Sequence, residues 1–428
     1  MHVPTGQKLS DSILMKPLFY LTILFQSVLS APGHGQPEKN LSKWQEGYLD
    51  IHHINTARGN ATFFVFPDGT TMLFDAGAKK LPRGKEHEYF PVPPRDSLSP
   101  GILIANYIRQ MVRSGKSPQL DYAVISHFHN DHYGQVDSTT DNSKKGNYRL
   151  SGITEVGDQL PIGTLIDRGS PDYLFPVDLK NIYRHDETFL NYLAFIRDQQ
   201  ARNGMATEGL IAGRKDQIRL RIHPERFETF HVRNIKANAT IWSGDGNTTF
   251  EYPFDPLKLK VDEVDENAMS LVLKVSYGPF DYFTGGDLTG YTQWGDFDLE
   301  TPVAKVVGEV EALALNHHGY YDASNAFFLR TLSPQVVVHQ VIHDPHYQPG
   351  VLKRLAAHPS HVFTYNMHDQ TREKYSSEVS KLYKSQQGHI VIRVLPGGKQ
   401  FYVYTLDDQK DNCALSGQFG PYTSDPGR

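Results

Sequence analysis

Cysteine is almost absent from this sequence of 428 residues, because Cys413 is the only one. No intramolecular disulfide is therefore possible, and the fold must be stabilised by its packed core. A strong excess of charge is also missing, since 43 basic and 48 acidic side chains give a formal net charge of −5. This balance offers no global electrostatic case for nucleic-acid binding, although a small phosphate site can still be locally positive.

Long apolar runs are missing too, apart from one near the start. Residues 17–25 are mostly apolar, and small residues precede Ala31 at the positions typical of a signal-peptidase cleavage site. We therefore predict a cleaved signal peptide over residues 1–30 and a polar segment over residues 31–46, with a buried N-terminal helix as the alternative. No later segment approaches the length of a membrane span, so we expect a secreted or periplasmic protein with no span after cleavage.

The remaining sequence has the ordinary composition of a globular domain, with 39 % hydrophobic and 21 % charged residues. Apolar periodicity predicts one α/β domain with layered sheets over residues 47–406. Residues 205–265 show no clear elements and are interpreted as an insertion, and residues 407–428 as a loose polar tail. Strands are predicted at residues 49–55, 61–66, 71–74, 122–126, 270–276, 282–284, 312–315, 335–341, 362–365, 390–394 and 401–404. Helices are predicted from Pro100 and at residues 187–203, 323–332 and 350–358.

The most informative feature is a cluster of metal-ligand side chains directly after a buried-looking strand. Within residues 127–132 lie His127, His129, Asp131 and His132. Imidazole and carboxylate groups suit zinc, iron or manganese, and this spacing lets one turn present all four. The pattern indicates a metal-dependent hydrolase, and the alternative is a solvated His/Asp loop.

Two further clusters follow predicted strands. Gly285-Gly286-Asp287 is the first, and Asn316-His317-His318-Gly319 is the second. A Gly-Gly-Asp sequence alone is usually only a turn. Sites in α/β folds collect at one edge of the sheets, however, so three strand-end clusters of Asp and His can form a single site.

On these motifs the chain resembles the metallo-β-lactamase superfamily. Within it, the chain resembles the extracellular metallo-β-lactamase domain of bacterial competence DNA-uptake channel proteins, over roughly residues 48–405. The matching landmarks are residues 66–69 (Phe-Pro-Asp-Gly), 74–77 (Phe-Asp-Ala-Gly), 126–132, 267–275, 285–287 and 316–319, and His346 near Pro349.

The resemblance implies a four-layered αββα sandwich with a dinuclear metal site at one edge. It implies that His127 and His129 bind the first metal ion. Asp131 and His132 would bind the second ion, and Asp287 would bridge the two. The cofactors would be two divalent ions, with zinc expected first and manganese or iron as alternatives.

One histidine of the pair His317 and His318 would complete the second site. His318 is favoured because it directly precedes a glycine, as the family's last ligand does. Asp75 would orient a ligand imidazole or loop backbone.

The sequence departs from the family pattern in three places. The competence-type domains often have Asp where His129 stands, and their glycine-rich turn appears here as residues 57–60. The usual third histidine of the first metal is not evident. Asp167 is a candidate replacement, with a salt-bridge or turn role as the alternative.

The predicted chemistry is hydrolysis by a metal-activated water, because two cations lower the pKa of water and stabilise charge on a phosphoryl or carbonyl oxygen. Asp131 or Asp287 would orient the water and accept its proton. His346 would contact the substrate or protonate the leaving group, unless it is a loop histidine packed on Tyr347. Possible phosphate contacts are Arg168, Lys79 and Lys80.

We expect an exported metal-dependent phosphodiesterase that acts on a small-molecule or polymeric diester. Nucleic acid, a phosphorylated cell-envelope component and a choline-type ester are all candidate substrates. One alternative is a lactone, ester or β-lactam hydrolase that uses the same metals. A second alternative is a non-catalytic binding protein that keeps the fold. The sequence makes no prediction of oligomeric state.

Overall fold

Two large mixed β-sheets organise the chain in the computed structural model, which describes residues 40–112, 118–253, 265–290, 298–410 and 412–425. All described residues belong to one compact unit. The predicted signal peptide, and the polar segment up to residue 39, lie outside the described residues. Among the helices that are described, none is both long and apolar enough to cross a bilayer.

The first sheet has nine strands in the order β18-β17-β16-β1-β2-β3-β4-β5-β6. These strands are β1 (Leu49–His53), β2 (Thr62–Val65), β3 (Thr71–Phe74), β4 (Leu120–Val124), β5 (Ile162–Asp167), β6 (Ala206–Gly209), β16 (His389–Val394), β17 (Gln400–Leu406) and β18 (Leu415–Thr423). Strands β3 to β6 run parallel to one another, whereas the other pairs are antiparallel. The carboxyl ends of β3, β4 and β5 therefore meet at one edge.

The second sheet also has nine strands, in the order β15-β14-β13-β12-β11-β10-β7-β8-β9. These strands are β7 (Phe230–Ala237), β8 (Thr240–Trp242), β9 (Thr249–Glu251), β10 (Val272–Tyr277), β11 (Phe280–Thr284), β12 (Ala312–Ala314), β13 (Val336–His339), β14 (His361–Thr364) and β15 (Tyr383–Ser385). Strands β11 to β15 are parallel, so their carboxyl ends also share an edge.

Ten α-helices are described. They are α1 (Pro100–Met111), α2 (Asn130–Tyr133), α3 (Ile153–Gln159), α4 (Leu179–Ile182), α5 (Glu187–Asn203), α6 (Glu300–Val307), α7 (Ala326–Leu332), α8 (Pro349–Ala356), α9 (Asp369–Lys374) and α10 (Ser376–Leu382). Local sequence explains the ends of the longest, α5. The Asp186 carboxylate accepts the N–H of Phe189 at its start, and Gly204 ends it with a left-handed φ of 67°.

Three apolar clusters form the core. One contains inward side chains of both sheets, such as Ile51 and Phe64 from the first and Leu273 and Val338 from the second. Another packs the opposite face of the first sheet against α1, α3 and α5. The last packs the opposite face of the second sheet against α6, α7, α8 and α10. The predicted mixed α/β architecture with large sheets is thus confirmed.

Two sequence expectations are wrong in their described parts. Residues 205–253 are not free of regular elements, because they hold β6 of the first sheet and β7, β8 and β9 of the second. In β7 the alternation of apolar and polar residues does not follow burial, because the polar side chains of Asn234 and Lys236 are fully buried. The tail is not loose over residues 415–423, since β18 pairs with β17 as an edge strand. Its alternating half-exposed side chains explain why it resembled a polar tail.

Candidate metal centre

The predicted site residues meet where strands of both sheets end. The turn of residues 127–132 follows β4, Asp287 follows β11, and residues 316–319 follow β12. Together they border a cleft with a volume of about 350 Å³. Its lining residues are Lys79, His129, Asn130, Asp131, Asn267, Asp287, His317, His318, Tyr320, His343 and His346. Each sheet therefore supplies part of one site.

Asp287 is the point on which the buried imidazoles converge. Its Oδ1 lies 3.0 Å from Nε2 of His132 and 3.6 Å from Nε2 of His318. Its Oδ2 lies 3.8 Å from Nε2 of His127. Two groups of ligand atoms result, each lying within 4.8 Å of one another: His127, His129 and Asp287 in one, and His132, Asp287 and His318 in the other. Either group could hold a metal ion, and Asp287 is common to both.

Hydrogen bonding shows that this geometry fits a cation. The Nε2 atoms of His127, His132 and His318, and Oδ1 of Asp287, are buried without a hydrogen-bond partner among the described residues. The close approach of His132 to Asp287 thus lacks the orientation of a hydrogen bond. Leaving a buried polar atom unpaired costs about 1–3 kcal/mol. Cations bound by the two ligand groups would satisfy these atoms.

The opposite ring nitrogens are held by the protein. Nδ1 of His132 lies 2.8 Å from Asp75 Oδ2, and Nδ1 of His318 lies 2.9 Å from the carbonyl oxygen of Gln340. Nδ1 of His127 lies 3.0 Å from the hydroxyl of Ser126. Ligand histidines in metalloproteins are held in this way through their second nitrogen. The Asp75 contact has the orienting geometry that the sequence suggested.

The pKa values of two of these imidazoles favour their neutral form, which has a lone pair for a metal. Burial lowers the pKa of His127 well below its ordinary value, and burial also lowers the pKa of His318. Both imidazoles are therefore neutral at pH 7 and able to coordinate a metal. Burial alone would raise the pKa of Asp287, but the neighbouring ring of His132 outweighs it and holds that pKa well below its usual range.

His129 of the first ligand group and two further predicted residues lie at the cleft. His129 is exposed at the mouth of the cleft. Asp131 is outside both ligand groups. Its Oδ2 lies 4.0 Å from His318 Nε2 and pairs with Lys79 Nζ at 3.2 Å. The ring of His346 stacks on that of His318, with centroids 4.5 Å apart.

His317 borders the cleft but is not in the second ligand group. Its Nδ1 lies 2.6 Å from Asp322, and its Nε2 lies 3.8 Å from Asp287 Oδ2. The geometry thus favours His318 over His317 as the ligand of that group.

The structure gives Asp167 a different role from the candidate ligand. Its Oδ1 accepts the N–H groups of Gly169 and Ser170, at 2.9 and 2.6 Å. Its Oδ2 accepts the hydroxyls of Tyr173 and Tyr192, at 2.8 and 2.7 Å. With both oxygens engaged in the core, Asp167 is a structural turn residue and belongs to neither ligand group.

Of the three candidate phosphate contacts, only one lines the cleft. Arg168 is buried in an ion pair with Glu266, so it does not face the cleft. Lys80 pairs with Asp137 and likewise does not line the cleft. Of the three, Lys79 alone borders it.

Backbone geometry supports the ligand turns. A Cβ atom at Gly77 would lie 1.9 Å from the carbonyl oxygen of Asp131, and one at Gly59 would lie 2.2 Å from it. The same oxygen accepts the N–H of Asn60 at 2.8 Å. Only glycine permits this approach of three backbones, which explains both glycines beside the histidine turn.

The second ligand turn has an unusual backbone. His317 and His318 have left-handed φ values of 44° and 51°, which are unfavourable for non-glycine residues. The buried Glu300 carboxylate holds this turn by accepting the side-chain N–H of Asn316 and, further on, the backbone N–H of Ser324 and Asn325. Functional-site backbones are often strained in this manner.

Several supporting residues were missed from the sequence. The sequence assigned no role to five residues that hold the ligand turns, because each is a common residue type: Ser126, Ser270, Gln340, Asp322 and Glu300. Asp322 carried a weak signal, since a carboxylate five residues after His317 can reach back to it. Comparison of the chain with protein-family models and with curated proteins found no match, so the site is interpreted from its own geometry.

Proposed function

We propose that this chain is a metal-dependent hydrolase with the four-layered αββα sandwich of the metallo-β-lactamase superfamily. The layers are supported by the core, in which each sheet packs one face on the other sheet and one face on helices. The site would hold two divalent cations, zinc in the first instance, with manganese or iron as alternatives. An exported phosphodiesterase is the function we favour.

One observation carries the proposal. Three buried imidazole nitrogens, which make no hydrogen bond within the described part of the chain, surround a carboxylate shared by two ligand groups. A structural cluster would instead pair these atoms with one another or with hydroxyls. His127, His129 and Asp287 would hold one cation, and His132, Asp287 and His318 the other.

Bound cations of this kind supply Lewis acidity and lower the pKa of water toward neutrality. Side chains of the protein would orient the water and contact the substrate. Asp131 lies at the cleft beside His318, where its carboxylate can orient the attacking water and accept its proton. His346 borders the same cleft and can contact the leaving group. Lys79 places a positive charge at the cleft wall.

Lys79, which lines the cleft and pairs with Asp131 at 3.2 Å, is the cationic donor that leads us to favour a phosphodiester over a carbonyl substrate. A phosphodiester remains anionic throughout the reaction, so a cation beside the metal centre stabilises it in both ground and transition states. A neutral lactone, ester or β-lactam would gain less from this charge.

The test is hydrolysis of bis(p-nitrophenyl) phosphate by residues 31–428 loaded with zinc or manganese. We expect turnover by the native sequence and its loss in His129→Ala. His223→Ala, which removes an exposed imidazole outside the cleft, is the matched control and should keep full activity. Turnover of nitrocefin or lactones without diester turnover would select a carbonyl hydrolase. Bound metal without any turnover would select a binding protein.

A further inference from the structure

Lys236 is a buried lysine that the proposed reaction does not use. It lies on β7, its side chain is fully buried, and its Nζ donates to the carbonyl oxygens of Ala268 and Ser270 at 2.7 and 3.0 Å. It forms no ion pair among the described residues. Burial lowers its pKa to about 7, with Arg168 adding to the effect.

This arrangement is costly for a strand interior. Burying an amine without a carboxylate partner is unfavourable, and an apolar side chain of similar length would avoid that penalty. Both the charged and the neutral amine carry at least two N–H donors, so both can bind the two carbonyls. The function of Lys236 must therefore be sought in the segment it holds.

That segment, residues 265–271, reaches the first ligand turn directly. The hydroxyl of Ser270 accepts the backbone N–H of Asp287 at 3.1 Å and lies 3.4 Å from Nδ1 of His127. The backbone N–H of Leu271 donates to the carbonyl of Ser126, the residue before His127. Lys236 binds the carbonyl of the same Ser270 whose hydroxyl contacts two ligands.

The segment also contacts one further residue in each of the two ligand turns. The Glu266 carboxylate accepts the backbone N–H of Phe128, the residue between His127 and His129. The side-chain amide of Asn267 lies 3.3 Å from Nε2 of His317. A displacement of this segment would thus move ligand residues contributed by both sheets.

We propose that Lys236 is a positioning residue for the metal centre. By binding the carbonyls of Ala268 and Ser270, it fixes the segment that orients His127 and Asp287, and so sets the metal affinity of the group formed by His127, His129 and Asp287. This inference rests on the proposed metal centre but requires no hydrolysis.

The test compares Lys236→Met with a matched control, Lys274→Met, in the full chain. Lys274 lies on the neighbouring strand β10, where it donates to the carbonyl of Val307 at 3.0 Å and pairs with Asp281 at 2.8 Å. Zinc affinity is measured by competition with a chromophoric chelator, and ligand geometry by the visible spectrum of the cobalt-loaded protein. We expect at least tenfold weaker binding of one ion and an altered spectrum in Lys236→Met only, as for other residues that orient metal ligands.

A thermodynamic cycle with Ser270→Ala separates positioning from general destabilisation. Because both residues act through one segment, their effects on metal affinity should not add. A folded Lys236→Met protein with native affinity and spectrum would overturn the inference. If that variant does not fold, native metal affinity in a folded Ser270→Ala protein overturns it instead. A native protein that binds metal but hydrolyses nothing would refute the proposed function and leave this test intact.

Discussion

Asp75 and His132 are joined by a buried contact of 2.8 Å between Oδ2 and Nδ1, on the ring edge opposite the nitrogen that faces Asp287. Asp75 is itself fixed, because its Oδ1 accepts the backbone N–H of Ser126 at 2.7 Å. The carboxylate at the end of β3 therefore sets the orientation of an imidazole that follows β4.

We expect Asp75→Asn to lower the affinity of the second ligand group for zinc by about 10- to 100-fold, because the ring loses its carboxylate partner. Chelator competition measures the change. Asp121→Asn, which alters a carboxylate that binds Thr71 in the same sheet, is the control and should keep native affinity. Equal affinities in the two variants would contradict the role of Asp75.

Alanine variants of the adjacent residues His317 and His318 should bind different numbers of metal ions. His318→Ala removes a member of the second ligand group, so we expect the loss of one bound ion per chain. His317→Ala removes a ring held by Asp322 and should keep the native ion count. Elemental analysis of the purified variants decides, and the reverse result would assign the ligand to His317.

Asp167→Ala should affect stability and not metal content. It leaves two buried tyrosine hydroxyls and two backbone N–H groups without their acceptor, which we expect to lower the free energy of unfolding by about 3 kcal/mol. Urea unfolding measures the loss. A folded variant that binds one ion fewer would restore Asp167 as a ligand.

Gly77→Ala should destabilise the histidine turn. The added methyl group would lie 1.9 Å from the carbonyl oxygen of Asp131, so backbone must move, at a cost of about 2–4 kcal/mol. Gly350→Ala on α8 is the control, since the added methyl group would lie 3.4 Å from Nη1 of Arg354, the tip of a flexible side chain. Equal unfolding midpoints for the two variants would show that residues 77 and 131 do not touch as described.

The buried carboxyl of Glu300 should make the stability of the metal-free protein depend on pH. Burial raises its pKa from 4.5 to about 7. A carboxyl whose folded-state pKa is raised stabilises the fold fully below the unfolded pKa, and that contribution is lost as pH rises through the folded pKa. With 1.36 kcal/mol per pKa unit, the loss from pH 4.5 to pH 7 is about 3 kcal/mol.

The measurement is chelator-treated protein unfolded by urea across this pH range. Glu300→Gln cannot titrate, so the stability of the native sequence relative to this variant should fall as pH rises. A pH-independent difference between the two proteins would contradict the shifted pKa.

Much of the candidate site could be predicted because its ligands follow strands. Residues at the carboxyl ends of neighbouring parallel strands meet at one edge, so the turns after β4, β11 and β12 could be expected to form one site from local patterns. The sharing of Asp287 followed from the resemblance and agrees with the distances. Most predicted strands, and helix α5 at both ends, are where apolar periodicity placed them.

The remaining features depend on contacts between distant segments. Asp167 looked like a possible ligand because Tyr173 and Tyr192, which occupy its carboxylate, are brought to it only by the packing of α5 and the preceding loop. Strand β7 was not predicted, because the buried Lys236 interrupts the alternation of apolar and polar residues. The carbonyl groups that Lys236 binds lie 32 and 34 positions further along the chain. Local sequence patterns do not indicate contacts between residues so far apart in the chain.

The division of ligands between the sheets has a mechanical consequence. His127, His129 and His132 come from one sheet, whereas Asp287 and His318 come from the other. A cation bound by ligands from both sheets would act as a reversible cross-link between segments that lie far apart in the chain. Melting temperature should therefore rise with free metal concentration, and a chelator should lower it.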